Sequence, residues 1–160
     1  PPEFAMSVVI EPAYHKLESI RELFAEYARS LGLDLAFQGF SGELEDLPGK
    51  YARPDGRPYL ASVHGEAAGC IALRRFDSDC CEMKRLYVRP AFRGRSLAGQ
   101  LAKLIISDAV AMGYRAMLLD TLREMRAARA LYARLGLKEI PPYYHNPFDA
   151  VFYRLELAQG

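Results

Sequence analysis

Tryptophan is absent from the 160 residues, and cysteine and histidine occur three times each. No apolar run approaches the ~20 residues that a membrane-crossing helix needs, and no secretory leader pattern opens the chain, so no membrane association is expected. His15, His64 and His145 lie in unrelated segments without ligand spacing, which leaves no metal site to propose. Cys70, Cys80 and Cys81 form an odd set with no Cys-x-x-Cys spacing. Adjacent Cys80 and Cys81 on one strand would point to opposite faces. Reduced, buried thiols and a cytoplasmic location are the expectation. Charge of one sign is also lacking: 21 Lys and Arg against 20 Asp and Glu give a net charge of +1. That balance argues against a nucleic-acid surface, and any basic site must come from local clustering.

What is present is apolar material, 51% of the residues, enough for one substantial core and one domain. Residues Pro1 to Ala5 precede Met6, fit no element and read as a cloning remnant, which leaves 6–160 as a single domain. Ser7 to Glu11 predicts a first strand. Leu17, Ile20, Phe24, Tyr27 and Leu31 then repeat at helical spacing up to the stop at Gly32. Leu33 to Leu47 reads as a short or broken helix, and Pro48 to Pro58 as a loop. Tyr59 to Val63 and Ala67 to Arg75 predict a hairpin turning at His64 to Glu66, followed by a strand over Cys80 to Val88. Leu97, Leu101, Leu104, Ile105, Ala109 and Met112 mark a helix that crosses over to a strand at Arg115 to Asp120. Met125 to Leu135 supplies the last helix, closed by Gly136. Leu137 to Ile140 and Val151 to Leu157 close the sheet.

The densest chemistry lies at Leu86-Tyr87-Val88-Arg89-Pro90 followed by Arg93-Gly94-Arg95-Ser96-Leu97-Ala98, where a strand turns into a helix. A helix N-terminus offers unsatisfied N–H groups and partial positive charge, to which guanidinium groups and a permissive glycine are added here. Such a turn suits a pyrophosphate. The same residues equally describe a solvated Arg-rich loop with Ser96 as helix cap.

The run from Glu82 to Ile105 resembles motif A of the GNAT superfamily of acyl-CoA-dependent N-acyltransferases. That family's cofactor loop reads Arg or Gln, two residues, Gly, one residue, then Gly or Ala. Arg93 and Ala98 match its ends, while Ser96 stands where glycine is usual. Ala128-Arg129-Ala130-Leu131-Tyr132 with Leu135-Gly136-Leu137 is similar to motif B, with Met125 where asparagine is common. The order of elements from Ser7 to Leu157 fits as well. The resemblance implies an α/β, three-layer fold: a mixed, mostly antiparallel sheet of six to seven strands with a central splayed parallel pair and about four flanking helices.

The resemblance also implies acetyl-CoA as acyl donor, with no metal. Leu86, Tyr87, Val88, Arg93, Gly94, Arg95, Ser96, Leu97 and Ala98 would hold the cofactor, Leu86 and Val88 through their main chain. An amine would attack the thioester directly. An ammonium with pKa ~10.4 is about 3.4 units from neutral at pH 7, roughly 4.6 kcal/mol, so a base is useful. Glu82 is the candidate, on condition that an apolar or water-poor cleft raises its pKa; otherwise it is a strand glutamate paired with a cation such as Lys84 or Arg85. Tyr132 resembles the family's donor to the leaving thiolate, although its place on the apolar stripe also suits a core tyrosine with a satisfied hydroxyl.

The acceptor pocket is expected from 33–47, 48–58 and the proline-bounded loop bearing Tyr143, Tyr144, His145 and Asn146. The expected partner is a small-molecule or peptide amine, and the chain a monomer or homodimer. A non-catalytic acyl-CoA or nucleotide sensor and a protein lysine acetyltransferase are the other readings.

Overall fold

The computed structural model of the chain describes residues 7–32, 35 and 39–157. The residues ahead of Met6, and Leu33 and Phe37 of the expected broken helix, lie outside that set. Seven strands make one sheet: β1 (Val8–Pro12), β2 (Arg57–Val63), β3 (Glu66–Arg75), β4 (Cys80–Val88), β5 (Ala116–Leu122), β6 (Lys138–Ile140) and β7 (Ala150–Glu156). Their spatial order is β1-β2-β3-β4-β5-β7-β6. All neighbouring pairs are antiparallel except β4 with β5. Four helices cover the sheet: α1 (Leu17–Leu31), α2 (Phe40–Glu45), α3 (Leu97–Ala111) and α4 (Arg126–Arg134).

Local chemistry accounts for these boundaries. Helix α1 ends because Gly32 takes a left-handed φ of 64° and turns its N–H back to the Arg29 carbonyl. The β2–β3 hairpin turns through two positive-φ residues, His64 at 51° and Gly65 at 82°, whose twist matches that of the flanking strands. Two apolar layers then form on the two sides of the sheet. Leu97, Leu101 and Ile105 of α3 pack with Ile71, Met83, Met117 and Leu119 on one side, and Tyr132 of α4 joins them. Ile20, Leu23 and Phe24 of α1 pack with Leu60, Cys70, Ala72 and Tyr87 on the other. Burying each large aliphatic side chain contributes about 1.5–3 kcal/mol, so these two layers dominate the stability. Cys80 and Cys81 do point into different clusters, and all three thiols are free and buried.

One irregularity shapes the middle of the sheet. On β3, Cys70 and Ala72 are two residues apart, but their partners on β4, Tyr87 and Lys84, are three apart. The extra residue is a β-bulge, with Arg85 at a left-handed φ of 61°. A bulge bends its strand and raises its twist. The parallel pairing of β4 with β5 accordingly covers only Cys80↔Ala116, Cys81↔Met117 and Glu82↔Leu118. Beyond Glu82 the two strands separate. Gly69 fits beside the bulge because a Cβ there would lie 2.7 Å from the Tyr87 carbonyl oxygen.

A non-glycine residue in the left-handed region carries roughly 1–2 kcal/mol of steric cost. Arg85 is held there by a two-pronged pair with Glu43 of α2, Nε at 2.9 Å from Oε2 and Nη2 at 3.0 Å from Oε1. Both side chains are largely buried. Replacing Glu43 with Gln leaves a neutral partner for a buried guanidinium, and we expect about 2–3 kcal/mol of destabilisation in urea denaturation. A loss below about 0.5 kcal/mol, the usual scale of surface substitutions, would show that the bulge stands without this pair.

Candidate active site

The separation of β4 and β5 opens a cleft of about 940 Å³. Its lining joins residues that sequence alone places far apart: Lys84 to Val88 of β4, Arg93, Gly94 and Ser96 to Gln100 around the start of α3, Leu119 to Thr121 of β5, and Leu131 and Tyr132 of α4. Of the sequence-predicted cofactor residues, Leu86, Tyr87, Val88, Arg93, Gly94, Ser96, Leu97 and Ala98 line this cleft. Arg95 does not line it, and its guanidinium lies over the Phe92 ring at 5.9 Å. Tyr87 is committed on the α1 side, its hydroxyl donating to Glu26 Oε2 at 2.9 Å.

At the cleft's basic end, Gly94 and Ser96 both take positive φ, 79° and 62°. Ser96 is the residue that starts α3, yet its side chain makes no capping hydrogen bond. The first amides of a fifteen-residue helix are therefore offered to the cleft without side-chain competition. Such donors, with Arg93 beside them, match the chemistry of a diphosphate. Arg93 also latches the turn to the sheet, its Nε donating to the Val88 carbonyl at 3.0 Å. On the other edge of β4, backbone groups past Glu82 have no partner on β5, which leaves them for a bound arm with amide groups.

Tyr132 is 6% exposed and lines the cleft. Burial raises the pKa of its phenol, with the charges of Tyr27, Asp120 and Tyr153 acting in the same direction. Among the described residues its hydroxyl has no hydrogen-bond partner. A core tyrosine would have one.

Glu82 departs from the sequence expectation. Its partner is neither Lys84 nor Arg85 but Arg74, whose Nε and Nη2 reach Oε1 at 2.8 and 2.7 Å. Its other oxygen accepts from the Tyr143 hydroxyl at 2.7 Å. Burial works to raise its pKa, but the charges of Lys84 and Arg74 and the hydrogen bonds from Tyr143 and Arg74 outweigh it. The result lies below the ordinary value of 4.5. The raised pKa that a ready base requires is not found, because the charge of Lys84, then that of Arg74, and the hydrogen bonds from Tyr143 and Arg74 together offset burial.

The proline-bounded loop packs Tyr143 and Tyr144 edge-on to Phe152, at 5.1 and 5.3 Å between ring centres. Tyr144 donates to Asp120, and Asn146 Nδ2 donates to the same oxygen at 3.0 Å. His145 is exposed and joins none of these contacts. The loop thus reaches the cleft through Asp120 and does not itself line it, and neither does Glu82. Sequence reasoning missed Arg74, Glu43 and Asp120. Only Asp120 left a signal, as the one acid interrupting the apolar run Ala116 to Leu119.

Two outcomes test this geometry. Ser96→Gly removes the left-handed strain and should raise unfolding stability by up to about 1 kcal/mol. Ser96→Ala keeps the strain and removes the hydroxyl, so a gain for Ala equal to that for Gly would refute the strain account. For Glu82, a folded pKa below 4.5 means that the pair stabilises the protein above the unfolded value and is lost as pH falls through the folded one. The thermal stability of the wild type should therefore fall on acidification below about pH 4.5, and Glu82→Gln should flatten that dependence.

Comparison with known proteins agrees with the geometry. The profile of the Acetyltransferase (GNAT) family matches residues 17–137. An uncharacterized N-acetyltransferase of Schizosaccharomyces pombe is 42% identical, covering 99% of this chain and 98% of its own length. N-acetylaspartate synthetase of Danio rerio is 26% identical over 82% of this chain, which spans 50% of that longer relative. Among solved structures, an acetyltransferase of Salmonella typhimurium, determined with its cofactor acetyl-CoA, superimposes with a TM-score of 0.66 at 19% identity, over 98% of this chain and 96% of that one. With a splayed parallel pair, an uncapped helix start at its mouth and a matching profile over most of its length, the chain belongs to the GNAT acetyltransferase family.

Proposed function

We propose that the protein transfers the acetyl group of acetyl-CoA to a primary amine of a small molecule or peptide, by direct attack within a ternary complex. The observation that carries this reading is the single cleft running from the α3 amides, along the open edge of β4, to the Tyr132 hydroxyl. The diphosphate would sit on the amides after Ser96 with Arg93 alongside, and the pantetheine arm along the unpaired backbone of β4.

The neutral amine nitrogen attacks the thioester carbonyl carbon and forms the C–N bond, and negative charge moves to oxygen. The backbone of β4 past Glu82, unpaired with β5, would supply the N–H groups that receive that charge. The carbonyl then re-forms as the C–S bond breaks, the nitrogen gives up its extra proton to water, and the sulfur leaves as a thiolate that accepts a hydrogen bond from Tyr132. Full proton transfer from a phenol near ~10 to a thiol near ~8.5 is uphill by about 2 kcal/mol, and the burial of Tyr132 adds to that. Donation without transfer is the role the environment favours.

Glu82 enters with a task different from that of a ready base. Taking a proton from an ammonium would require a fall of at least about 6 pKa units, roughly 8 kcal/mol, against roughly 4.6 kcal/mol for forming the free amine at pH 7. Glu82 acts instead as a fixed charge that orders Arg74 and Tyr143, while the amine loses its proton to water. The zebrafish relative is named for making an acetylated amino acid, which favours a small-molecule acceptor over a protein lysine.

Free-thiol release from acetyl-CoA in the presence of an amine panel tests transfer, and protection against thermal unfolding by coenzyme A tests binding alone. Tyr132→Phe should lower kcat about 10- to 100-fold, the worth of a hydrogen bond to a charged group, while coenzyme A affinity is retained. Unaltered turnover would remove Tyr132 from the chemistry. Thermal protection without thiol release from any amine would favour a sensor.

A further inference from the structure

The opening between β4 and β5 holds a positive charge that nothing nearby neutralises at contact distance. Glu82↔Leu118 is the last paired position, so the next residues on the same face, Lys84 and Asp120, stand on opposite lips of the opening. Both line the cleft. Lys84 is 6% exposed, and among the described residues no carboxylate lies within 4.0 Å of its ammonium and no hydrogen bond reaches it. The neighbouring cations differ: Arg74 holds Glu82 at 2.7 Å and Arg85 holds Glu43 at 2.9 Å.

An ammonium buried without a counter-ion is unfavourable, and its desolvation depresses the Lys84 pKa despite the more distant charges of Glu82 and Asp120. An anion delivered through the cleft would reverse both effects. On the facing lip, Tyr144 and Asn146 both donate to Asp120 Oδ2, so neither bond uses Oδ1. Positive and negative poles thus face each other across a gap already lined for the reaction.

We infer that the acceptor is a primary amine carrying a carboxylate within a few bonds of its nitrogen, as in a free amino acid, with the carboxylate on Lys84 and an amine hydrogen donated to Asp120 Oδ1. The inference rests on the acyl-transfer reading and deepens it. A plain alkylamine would leave Lys84 unanswered. A polyamine would add like charge beside Lys84, Arg74 and Arg85, and a free peptide N-terminus carries an amide where an amino acid carries its carboxylate.

The test compares matched acceptors, L-alanine with L-alaninamide and L-aspartate with L-aspartic acid diamide, by thiol release and per neutral amine. The wild type should favour the acids about 10- to 100-fold in kcat/KM. Lys84→Met should bring that ratio close to one through the acceptor KM, and Lys84→Arg should keep most of it. Equal use of acids and amides by the wild type, or an undiminished ratio in Lys84→Met, overturns the assignment. Calorimetry on coenzyme A-saturated protein with N-acetyl-L-alanine and its amide separates the two readings. If no amine is turned over, acyl transfer fails alone. Tighter binding of the acid that is lost in Lys84→Met still upholds the carboxylate site, and equal affinity for acid and amide overturns it.

Discussion

The separation of two parallel strands after three paired positions is the constraint from which the rest of this molecule follows. Parallel strands buried between helix layers normally stay paired, because backbone N–H and C=O groups left open inside a protein are unfavourable. Here the bulge at Arg85 forces the departure, and the Arg85–Glu43 pair ties that bulge to α2. What would be a defect in a structural sheet becomes a slot through it. One face of the slot meets the start of α3, and the other meets the acid–base cluster beneath α1 and α2.

Electrostatics then sorts the two faces. On the α3 side the charge comes from the backbone and is permanent, since helix amides cannot be titrated away. On the α1 side it comes from side chains fixed against one another: Arg74 with Glu82 and Tyr143, Arg85 with Glu43, Arg89 with Glu22 and Glu26. These pairs neutralise each other and hold the strands at their angle. They also explain why a carboxylate at the position of Glu82 is so poor a base, since a buried acid given a guanidinium becomes more ionised, not less.

How much of this could be read beforehand follows from the range of the interactions. The span of β4 is written in the turn residues Asp77 to Asp79 before it, the β-favouring Leu86-Tyr87-Val88 within it and the ending at Pro90, and the structure places it on Cys80–Val88. The α3 helix is equally legible, because Leu97, Leu101 and Ile105 repeat on one face. Near-sequence signals of this kind survive folding intact. The partners of Glu82 were not legible: Arg74 reaches it through strand register and Tyr143 arrives from 61 residues away. Nor was the bulge, whose only trace is an arginine in a conformation that glycine would take more readily. Ser96, which the sequence offers as a helix cap or a cofactor contact, occupies the cap position without making the cap bond.

Tyr132 shows what such a site demands of the resting protein. Its ring is packed with Tyr153 at 5.8 Å between centres, yet the oxygen at its tip is paired with no described residue. A phenylalanine would fill the same space, and because the Tyr132 oxygen is not a buried unsatisfied atom but opens on the cleft, it contributes little to the folded state. In the proposed reaction this donor would gain its partner as negative charge gathers on sulfur, so the interaction would lower the barrier without tightening the ground state. Selection for thermal hardiness alone would accept phenylalanine at this position, and selection for turnover would keep the tyrosine.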